Sequence, residues 1–245
     1  MRYFLKLSFN GKNYHGWQVQ QNAHSVQAEL DKALSVLLKE EISTVGCGRT
    51  DTGVHAKVFY AHFDFTSEID SEYFIHHLNC LLPHDIAIQQ LKQVPDKSHA
   101  RFDAVSRTYQ YYMYHMKDPF LKESAYFFPY ELDLSKMNDA CKALMEYADF
   151  SSFSKSRTQV KTNICKIEEA FWKKENSQVV FQITADRFLR NMVRAIVGTM
   201  LEVGENRMDE KKFREVIEGK SRSDAGFSVP AHGLYLTDVK YGFEF

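Results

Sequence analysis

The residues most able to do chemistry lie together in positions 45–56, VGCGRTDTGVHA. This stretch holds a single carboxylate, Asp51, with Arg49 and His55 close by and three glycines around them. Closely spaced glycines allow a backbone to approach a bulky group, and loops of this kind often carry functional residues. Asp51 could act as a nucleophile or a base, and it could equally satisfy the amides of a tight turn. The residue types alone leave both interpretations open.

A lone carboxylate restricts the reactions that the segment could perform. Glycoside hydrolysis normally uses two carboxylates, and no second Asp or Glu lies in a comparable loop. A single Asp suffices where the leaving group is retained and used again. Such an Asp must stay ionised in a dry pocket, which an adjacent Arg favours. We therefore expect an Arg from elsewhere in the chain to pair with Asp51.

Positions 186–200, DRFLRNMVRAIVGTM, supply a candidate for that Arg. We predict one helix over 187–203 with a broad apolar face, and with Arg187, Arg190, Asn191 and Arg194 at helical spacing on the other face. Arg194 is flanked by apolar residues and is predicted to be the most buried of the four. An Arg that is buried needs a carboxylate or phosphate partner. For Arg187 and Arg190 a solvated basic face is an equal alternative.

The elements that position these residues follow from apolar periodicity. We predict strands over 1–9, 57–65, 86–94, 107–116, 164–173, 178–185 and 234–241, and helices over 25–40, 133–147, 187–203 and 209–218, with a further helix capped by Asp70 and stopped by Pro83. No Gly-rich phosphate loop follows the first strand, which argues against a doubly wound parallel sheet. The expected fold class is α+β, with two ferredoxin-like split β-α-β halves that form a mixed, mainly antiparallel sheet, helices on one side and an active-site cleft between the halves. The expected domains are 1–103 and 104–245.

The charge of the 245-residue chain is nearly balanced but unevenly spread. Lys and Arg number 31 against 32 Asp and Glu, yet positions 151–200 hold nine basic residues and only four acidic ones. This predicts a cationic surface that binds phosphate groups, with an affinity that weakens as the salt concentration rises.

No apolar run is long enough to span a membrane, and the four cysteines show no C-x-x-C pair. We expect a cytoplasmic protein with reduced thiols.

Six blocks of sequence, in order, resemble one known family. They are YHGWQVQ, SVQAELDKAL, GRTDTGVHA, LLPHDIAI, HARFDAVSRTYQYYMY and RFLRNMVRAIVG. Together they resemble the tRNA pseudouridine synthase A family across positions 9–241. The resemblance implies an isomerase that detaches uracil from its ribose, rotates it and rejoins it through carbon, at positions 38, 39 and 40 in the anticodon arm of tRNA. It further implies that no metal or organic cofactor is used, and that a homodimer binds tRNA across both subunits.

The resemblance also assigns roles to four residues of this chain. Asp51 matches the catalytic nucleophile of the G-R-T-D block, and Tyr109 matches the Tyr that packs on the target base. Arg194 matches the Arg that pairs with the aspartate, and Arg49 is a candidate to occupy the gap left by the flipped base. The chemistry is consistent, because Asp51 could trap C1′ or remove the C2′ proton while the uracil stays in the pocket.

Two departures from the family pattern stand out. Cys165 occupies the position where the family usually has the Arg of K-T-x-x-R, and SVPA at 228–231 replaces a more usual T-A-P-A. Neither is expected to touch Asp51, Tyr109 or Arg194. Two rival functions remain open: a non-catalytic RNA-binding or tRNA-folding module on the same scaffold, and a glycoside or nucleoside hydrolase with a second carboxylate facing Asp51.

Four smaller features have competing interpretations. His55 could be a base or a structural histidine, and Trp17 with Gln18 could guide RNA or anchor a loop. His76 and Cys80, at i and i+4, could be half of a metal site or simply pack in the core. The tyrosines of the strand over 107–116 alternate between its two faces, so only one face can meet a substrate. Tyr111 is expected to be a core residue.

Overall fold

The computed structural model describes residues 1–155 and 162–243, which form two compact units. The N-terminal unit is Met1–Val105 together with the last part of the chain from Tyr235 onward, and the C-terminal unit is Ser106–Leu234. The sequence predicts a boundary after 103 and a second domain that runs to 245. The predicted domains and the observed units differ chiefly in the last strand. The prediction places this strand in the second domain, whereas it pairs with a strand of the N-terminal unit.

The element bounds follow the predicted periodicity closely. The strands are β1 (Arg2–Phe9), β2 (Val45–Gly46), β3 (His55–Asp64), β4 (Ile86–Val94), β5 (Ala104–Tyr114), β6 (Tyr126–Phe127), β7 (Ile167–Glu175), β8 (Gln178–Ala185) and β9 (Leu234–Tyr241). The helices are α1 (Val26–Leu38), α2 (Ser71–Leu81), α3 (Leu134–Leu144), α4 (Met192–Gly204) and α5 (Glu210–Glu218). The short strands β2 and β6 lack the alternation that would have predicted them.

Side-chain caps fix where four of the helices begin. Oγ of Ser25 accepts from the N–H of Ala28, and the carboxylates of Asp70, Asp133 and Asp209 accept from the first turns of α2, α3 and α5. Each cap satisfies amide groups that have no partner within the helix. This is why these helices start one residue after the polar residue that precedes the apolar stripe.

In the N-terminal unit the strand order is β4-β1-β3, and every pairing among these three strands is antiparallel. β2 pairs antiparallel with β3 near Ala61, while β9 pairs parallel with the other end of β3, at His55 and Ala56. Helices α1 and α2 connect strands that are not neighbours, which is the split β-α-β arrangement. The catalytic candidate Asp51 lies in the loop that connects β2 to β3, close in sequence to the end of β3 that pairs with β9.

In the C-terminal unit β5 pairs antiparallel with β8, and β8 pairs antiparallel with β7. β6 adds a short parallel pairing to β5 at Met113 and Tyr114. α3 connects β5 to the far strand β7, and α4 follows β8. The predicted α+β class with mainly antiparallel pairing is confirmed.

β4 is an outer strand of the N-terminal order β4-β1-β3, and β7 is the outer strand that pairs with β8 in the C-terminal unit. Each of these strands is held by an asparagine from the preceding helix. Asn79 on α2 donates to the carbonyl of Ile88 over 2.9 Å and accepts from its N–H over 2.7 Å. Asn138 on α3 does the same to Trp172, over 3.1 and 2.8 Å. Both contacts satisfy backbone groups that an outer strand would otherwise expose. In both units, therefore, an asparagine side chain satisfies backbone groups of an outer strand.

The predicted helix over 187–203 is wrong at its start, since α4 begins only at Met192. Asp186 accepts the N–H of Arg187 with its side chain, and Asn191 has a left-handed backbone with φ of 68°. A side-chain acceptor competes with helical hydrogen bonds, and a left-handed residue cannot lie inside a helix. Arg190 therefore lies in a loop, and only Arg194 of the four predicted polar positions is on the helix.

The described residues bear on two further expectations, which concern membrane-spanning segments and reduced cysteines. No helix among them is long and apolar enough to cross a membrane. All four cysteines fall within the described part of the chain and remain thiols, with Cys80 exposed and the other three buried.

Candidate active site

Asp51 lies at the start of a turn between β2 and β3. Its carbonyl accepts from the N–H of Val54 over 3.1 Å, and Gly53 has a positive φ of 78°. A positive φ at the third residue is the signature of a type II turn, which glycine adopts without strain. The Asp51 side chain is half-buried and that of Arg49 is exposed. The turn therefore accounts for the glycine at position 53, and it leaves the carboxylate of Asp51 partly accessible to solvent.

The segment from Tyr14 to Trp17 holds this loop on both sides of Asp51. The carbonyl of Tyr14 accepts from the N–H of Gly53 over 3.2 Å, and the N–H of Trp17 donates to Oγ1 of Thr50 over 3.0 Å. Between them Gly16 has φ of 87°, and a Cβ there would lie 2.1 Å from the carbonyl oxygen of Thr50. Residues on either side of Asp51 are therefore fixed by backbone contacts that tolerate no larger residue at Gly16.

This segment is anchored to the rest of the N-terminal unit. The hydroxyl of Tyr14 donates to the carboxylate of Asp85, which also accepts from Nδ2 of Asn13 over 3.0 Å. Burial, followed by the hydrogen bond to Asp85, raises the pKa of Tyr14, so its hydroxyl keeps its proton. The Asp85 carboxylate thereby connects the LLPHDIAI block to the loop that carries Asp51.

Trp17 is an anchor for the loop. Its side chain is 2% exposed and its ring stacks on Phe59 at 4.2 Å between centroids. A Cβ on Gly46 would come within 2.4 Å of Nε1 of Trp17, so the indole lies directly on the backbone of β2. Of the two interpretations, the structure favours loop anchoring for Trp17, whereas Gln18 is exposed.

His55 occupies a structural position. It is buried, and its Nδ1 accepts from the N–H of Gly11 over 3.1 Å. Its ring stacks on Tyr235 of β9 with 4.5 Å between centroids and 19° between planes. Because the Nδ1 lone pair is used by a backbone amide, the structural interpretation of His55 is favoured over that of a base.

Tyr109 lies on β5 of the C-terminal unit beside a second aromatic ring. It is half-buried and meets Phe188 edge to face, at 5.1 Å and 87°. Tyr111, two residues further on, is fully buried and its hydroxyl donates to the carbonyl of Pro230 over 2.9 Å. The prediction that Tyr111 is a core residue is confirmed. Tyr109 combines partial exposure with a packed aromatic neighbour, which suits a ring that stacks on a base.

Arg194 projects from the first turn of α4 and is half-buried. Its Nε donates to the carbonyl of Val229 over 2.7 Å, and its own carbonyl accepts from the N–H of Val229 over 3.3 Å. A guanidinium held at Nε has its plane fixed, which orients its terminal nitrogens. The segment around Val229 thus sets the direction of the Arg194 fork.

That contact corrects one expectation from the sequence. The sequence predicts no contact between the SVPA segment and the proposed site residues, yet the carbonyl of Val229 within this segment accepts a hydrogen bond from Arg194. The preceding Ser228 accepts through Oγ from Nδ2 of Asn191 over 2.6 Å and from Arg222 over 2.9 Å. The contact to Arg194 is made by a backbone carbonyl, which any residue type provides, so the sequence carries no signal for it.

The second departure from the family pattern is a buried residue. Cys165 is fully buried, and burial raises the pKa of its thiol to about 11. It therefore remains an uncharged thiol and does not replace the cation usual at that position. Lys161, which matches the Lys of the K-T-x-x-R pattern, falls outside the described residues.

No metal site is evident in the described part of the chain, where no three His, Cys, Asp or Glu side chains are grouped to hold an ion. The His76 and Cys80 pair does come together on α2, with 3.9 Å between Nε2 and Sγ. Two exposed ligands without a third or fourth do not make a zinc site.

The four predicted site residues divide between the two units. Asp51 and Arg49 belong to the N-terminal unit, and Tyr109 and Arg194 belong to the C-terminal unit. Sequence reasoning names Trp17 as a possible loop anchor, but it missed the other residues that hold the site residues in place. These are Tyr14, Thr50 and Asp85 around Asp51, and Val229 beside Arg194. The pairing of Asp51 with Arg194 stays a prediction.

Comparison with known proteins gives a consistent result. The family model described as tRNA pseudouridine synthase matches residues 7–103 and 140–242. The tRNA pseudouridine synthase A of Parabacteroides distasonis is 53% identical over 241 residues, covering 98% of this chain and 96% of its own. The enzyme of the same name from Bacteroides thetaiotaomicron is 50% identical, with 98% and 90% covered. That of Bacillus subtilis is 40% identical over 245 residues, with 98% and 99% covered.

Proposed function

The chain belongs to the tRNA pseudouridine synthase family, and from that premise we propose that it isomerises uridine to pseudouridine at positions 38, 39 and 40 in the anticodon arm of tRNA. Membership makes the protein an isomerase that acts on tRNA uridine. The choice of the anticodon arm rests on the resemblance of the six sequence blocks, which run in family order along nearly the whole chain.

Asp51 is the nucleophile in this proposal, and one observation carries it. The loop is fixed at Thr50 and Gly53 by the Tyr14–Trp17 segment, while the carboxylate between them stays half-buried. A reacting group must be held within a fraction of an ångström of its productive position, and rigid neighbours achieve this. Asp51 could then attack C1′, or remove the C2′ proton, as the N-glycosidic bond breaks.

The remaining roles follow the same chemistry. Tyr109 packs on the extruded uracil, which needs a few kcal/mol to leave the stem, and base stacking on an aromatic ring returns about 1 to 3 kcal/mol. Arg194 pairs with Asp51. The exposed Arg49 occupies the gap that the flipped base leaves. Because the uracil is retained and rejoined through C5, no acid is required to expel it.

The proposal includes no metal and no organic cofactor, a cytoplasmic location and a homodimer whose two subunits together bind one tRNA. The oligomeric state can be measured by light scattering after size exclusion. A monomer at micromolar concentration would remove the homodimer from the proposal without affecting the reaction.

One assay tests the reaction and separates the rival functions. Tritium at C5 of uridine is released when the base is rejoined through that carbon, so release is followed with an anticodon-arm RNA labelled at C5. We expect release with the wild-type protein and none with Asp51→Ala. Tight RNA binding without release would indicate the non-catalytic RNA-binding or tRNA-folding module, and free uracil as the product would indicate a hydrolase.

A further inference from the structure

The loop over 221–229, which follows α5, is fixed to α4 at two separate places. The N–H of Gly226 donates to Oγ1 of the buried Thr199 over 2.8 Å. Nearer the start of the helix, the carbonyl of Val229 accepts from Nε of Arg194 over 2.7 Å, and its N–H donates to the carbonyl of Arg194 over 3.3 Å. The residues between these two places decide where the Val229 carbonyl lies.

Those two residues, Phe227 and Ser228, are also held on α4. A Cβ on Gly198 would lie 1.8 Å from the carbonyl oxygen of Phe227, so the loop backbone lies directly on the helix. Oγ of Ser228 accepts from Nδ2 of Asn191 over 2.6 Å, and Asn191 is the left-handed residue that precedes the helix. The Ser228 hydroxyl thus joins the loop to the start of α4, one residue before the carbonyl that binds Arg194.

Arg222 closes the loop on itself. It is half-buried, and its Nη1 donates to the carbonyls of Ala225 and Gly226 over 3.2 and 3.0 Å. Its Nη2 donates to Oγ of Ser228 over 2.9 Å. Hydrogen bonds from a charged donor are stronger than neutral ones, and the planar guanidinium fixes the directions of its N–H groups. A single side chain therefore holds three acceptors of the loop in one arrangement.

We propose that Arg222 is a positioning residue for Arg194. Through Ser228 it fixes the carbonyl of Val229, and that carbonyl accepts from Nε of Arg194 and sets the direction of its guanidinium. Without Arg222 the loop carbonyls would bind water, and the loop would gain conformational freedom that the native state does not have. The inference rests on the proposed function for what Arg194 does in the reaction, and it adds a residue that acts through Arg194.

The first test observes the hydrogen bond of Arg194 itself. The arginine Nε–H groups give signals in a proton–nitrogen correlation spectrum of the protein, and the Arg194 signal is the one missing from Arg194→Lys. Its exchange with water should become about 3- to 10-fold faster in Arg222→Lys and in Ser228→Ala, the factor expected for the loss of about one hydrogen bond. Unchanged exchange in Arg222→Lys would overturn the proposal. If this variant does not fold, Ser228→Ala decides in the same way.

Three control variants make the exchange measurement specific. Ser228→Thr keeps the hydroxyl, as in the more usual T-A-P-A pattern, and should exchange as the wild type does. Ser223→Ala makes the same truncation at an exposed position of the same loop, and Arg207→Lys makes the other substitution at an exposed arginine. Both should leave the Arg194 signal unchanged. Equal acceleration in Ser223→Ala and Ser228→Ala would mean a general loosening of the loop, and it would overturn the proposal.

The second test connects this hydrogen bond to the reaction. In the tritium assay Arg222→Lys should lower kcat about 10-fold, with the Kd for tRNA within about 2-fold of wild type, because a displaced reacting group costs rate more than binding. The double variant Arg194→Lys/Arg222→Lys should turn over as fast as Arg194→Lys alone, since the Nε–H on which Arg222 acts is already gone. Losses that multiply in the double variant would show that Arg222 acts independently of Arg194, which would overturn the proposal.

The role of Arg222 and the proposed function can fail separately. The exchange measurement uses no RNA, so a wild-type protein that releases no tritium would contradict the reaction and leave the exchange rates as they are. Tritium release at the wild-type rate in Arg222→Lys would contradict the role of Arg222 and leave the proposed function intact.

Discussion

The N–H of Trp17 donates to Oγ1 of Thr50 over 3.0 Å, and this ties the residue before Asp51 to a buried indole. The hydrogen bond connects two of the sequence blocks, YHGWQVQ and GRTDTGVHA, through residues that are 33 positions apart. It fixes the entry to the turn, while the carbonyl of Tyr14 fixes Gly53 at its other end. The geometry of the candidate nucleophile thus depends on a segment that has no chemistry of its own.

Replacement of Thr50 by Val should therefore lower turnover more than binding. Valine has nearly the same shape but offers no acceptor, so the N–H of Trp17 is left without this partner and the turn shifts. A displacement of about 1 Å at a reacting group can cost on the order of 100-fold in rate. We expect kcat to fall about 10- to 100-fold in the tritium assay, with the Kd for tRNA within about 2-fold of wild type.

Two variants control this experiment. Thr50→Ser keeps a hydroxyl at the same position and should restore most of the turnover. Thr52→Val makes the same substitution at an exposed position within the turn and should have little effect. If Thr50→Val and Thr52→Val behave alike, the hydrogen bond from Trp17 does not position Asp51.

Sequence periodicity anticipates the fold where a strong apolar pattern coincides with a cap. β8 and β9 have their predicted bounds, and α2 begins at Ser71 directly after Asp70. The prediction fails at residues 187–191 because the Asp186 side chain and the left-handed Asn191 compete with helix formation. Periodicity does not register such local competition, since the residues involved still fit a helical pattern.

The candidate site shows a similar division. Asp51 and Tyr109 can be singled out from residue type and family resemblance. The contacts from Val229 to Arg194 and from Tyr14 to Gly53 are made by backbone carbonyls, which every residue has. The order of the elements along the chain likewise does not reveal which unit contains β9, because strand pairing depends on long-range packing.

Replacement of Tyr109 tests whether its ring binds the base. Tyr109→Phe keeps the aromatic face and should retain affinity for an anticodon-arm RNA. Tyr109→Ala removes it and should weaken binding by about 5- to 150-fold, which corresponds to the 1 to 3 kcal/mol of one stacked base. Tyr112→Ala, from the opposite face of the same strand, is the matched control. Equal losses for Phe and Ala would mean that the hydroxyl of Tyr109, and not its ring, is the binding group.

Arg194→Lys should be strongly impaired even though it preserves the positive charge. Lysine lacks the Nε–H that donates to Val229, and its ammonium cannot present two parallel donors to a carboxylate. We expect turnover to fall about 10- to 100-fold with a smaller change in tRNA affinity. Arg207→Lys, at an exposed Arg paired with Glu205, serves as the control for the substitution itself. Turnover near the wild-type level in Arg194→Lys would show that charge alone is sufficient at this position.

The N-terminal unit should lose stability on acidification because of His62. This side chain is buried, stacks on Phe4, and accepts at Nδ1 from the N–H of Ala100 over 3.1 Å. Burial first, then the charges of Arg2 and His99, lowers the pKa of His62 from 6.5 to about 4. The neutral ring is therefore the form that the fold accommodates.

The sign of the effect follows from proton binding. Between pH 6.5 and about 4 the unfolded chain binds a proton at His62 that the folded chain does not, so the free energy of unfolding falls as the pH is lowered through this window. The loss should be on the order of 2 kcal/mol once partial solvent screening is allowed for, and it should level off below about pH 4. His62→Gln keeps an acceptor for Ala100 but does not titrate, so urea unfolding at a series of pH values should show a flatter profile. A variant profile parallel to that of the wild type would assign the acid sensitivity to other groups, because the Gln side chain removes only the His62 protonation step.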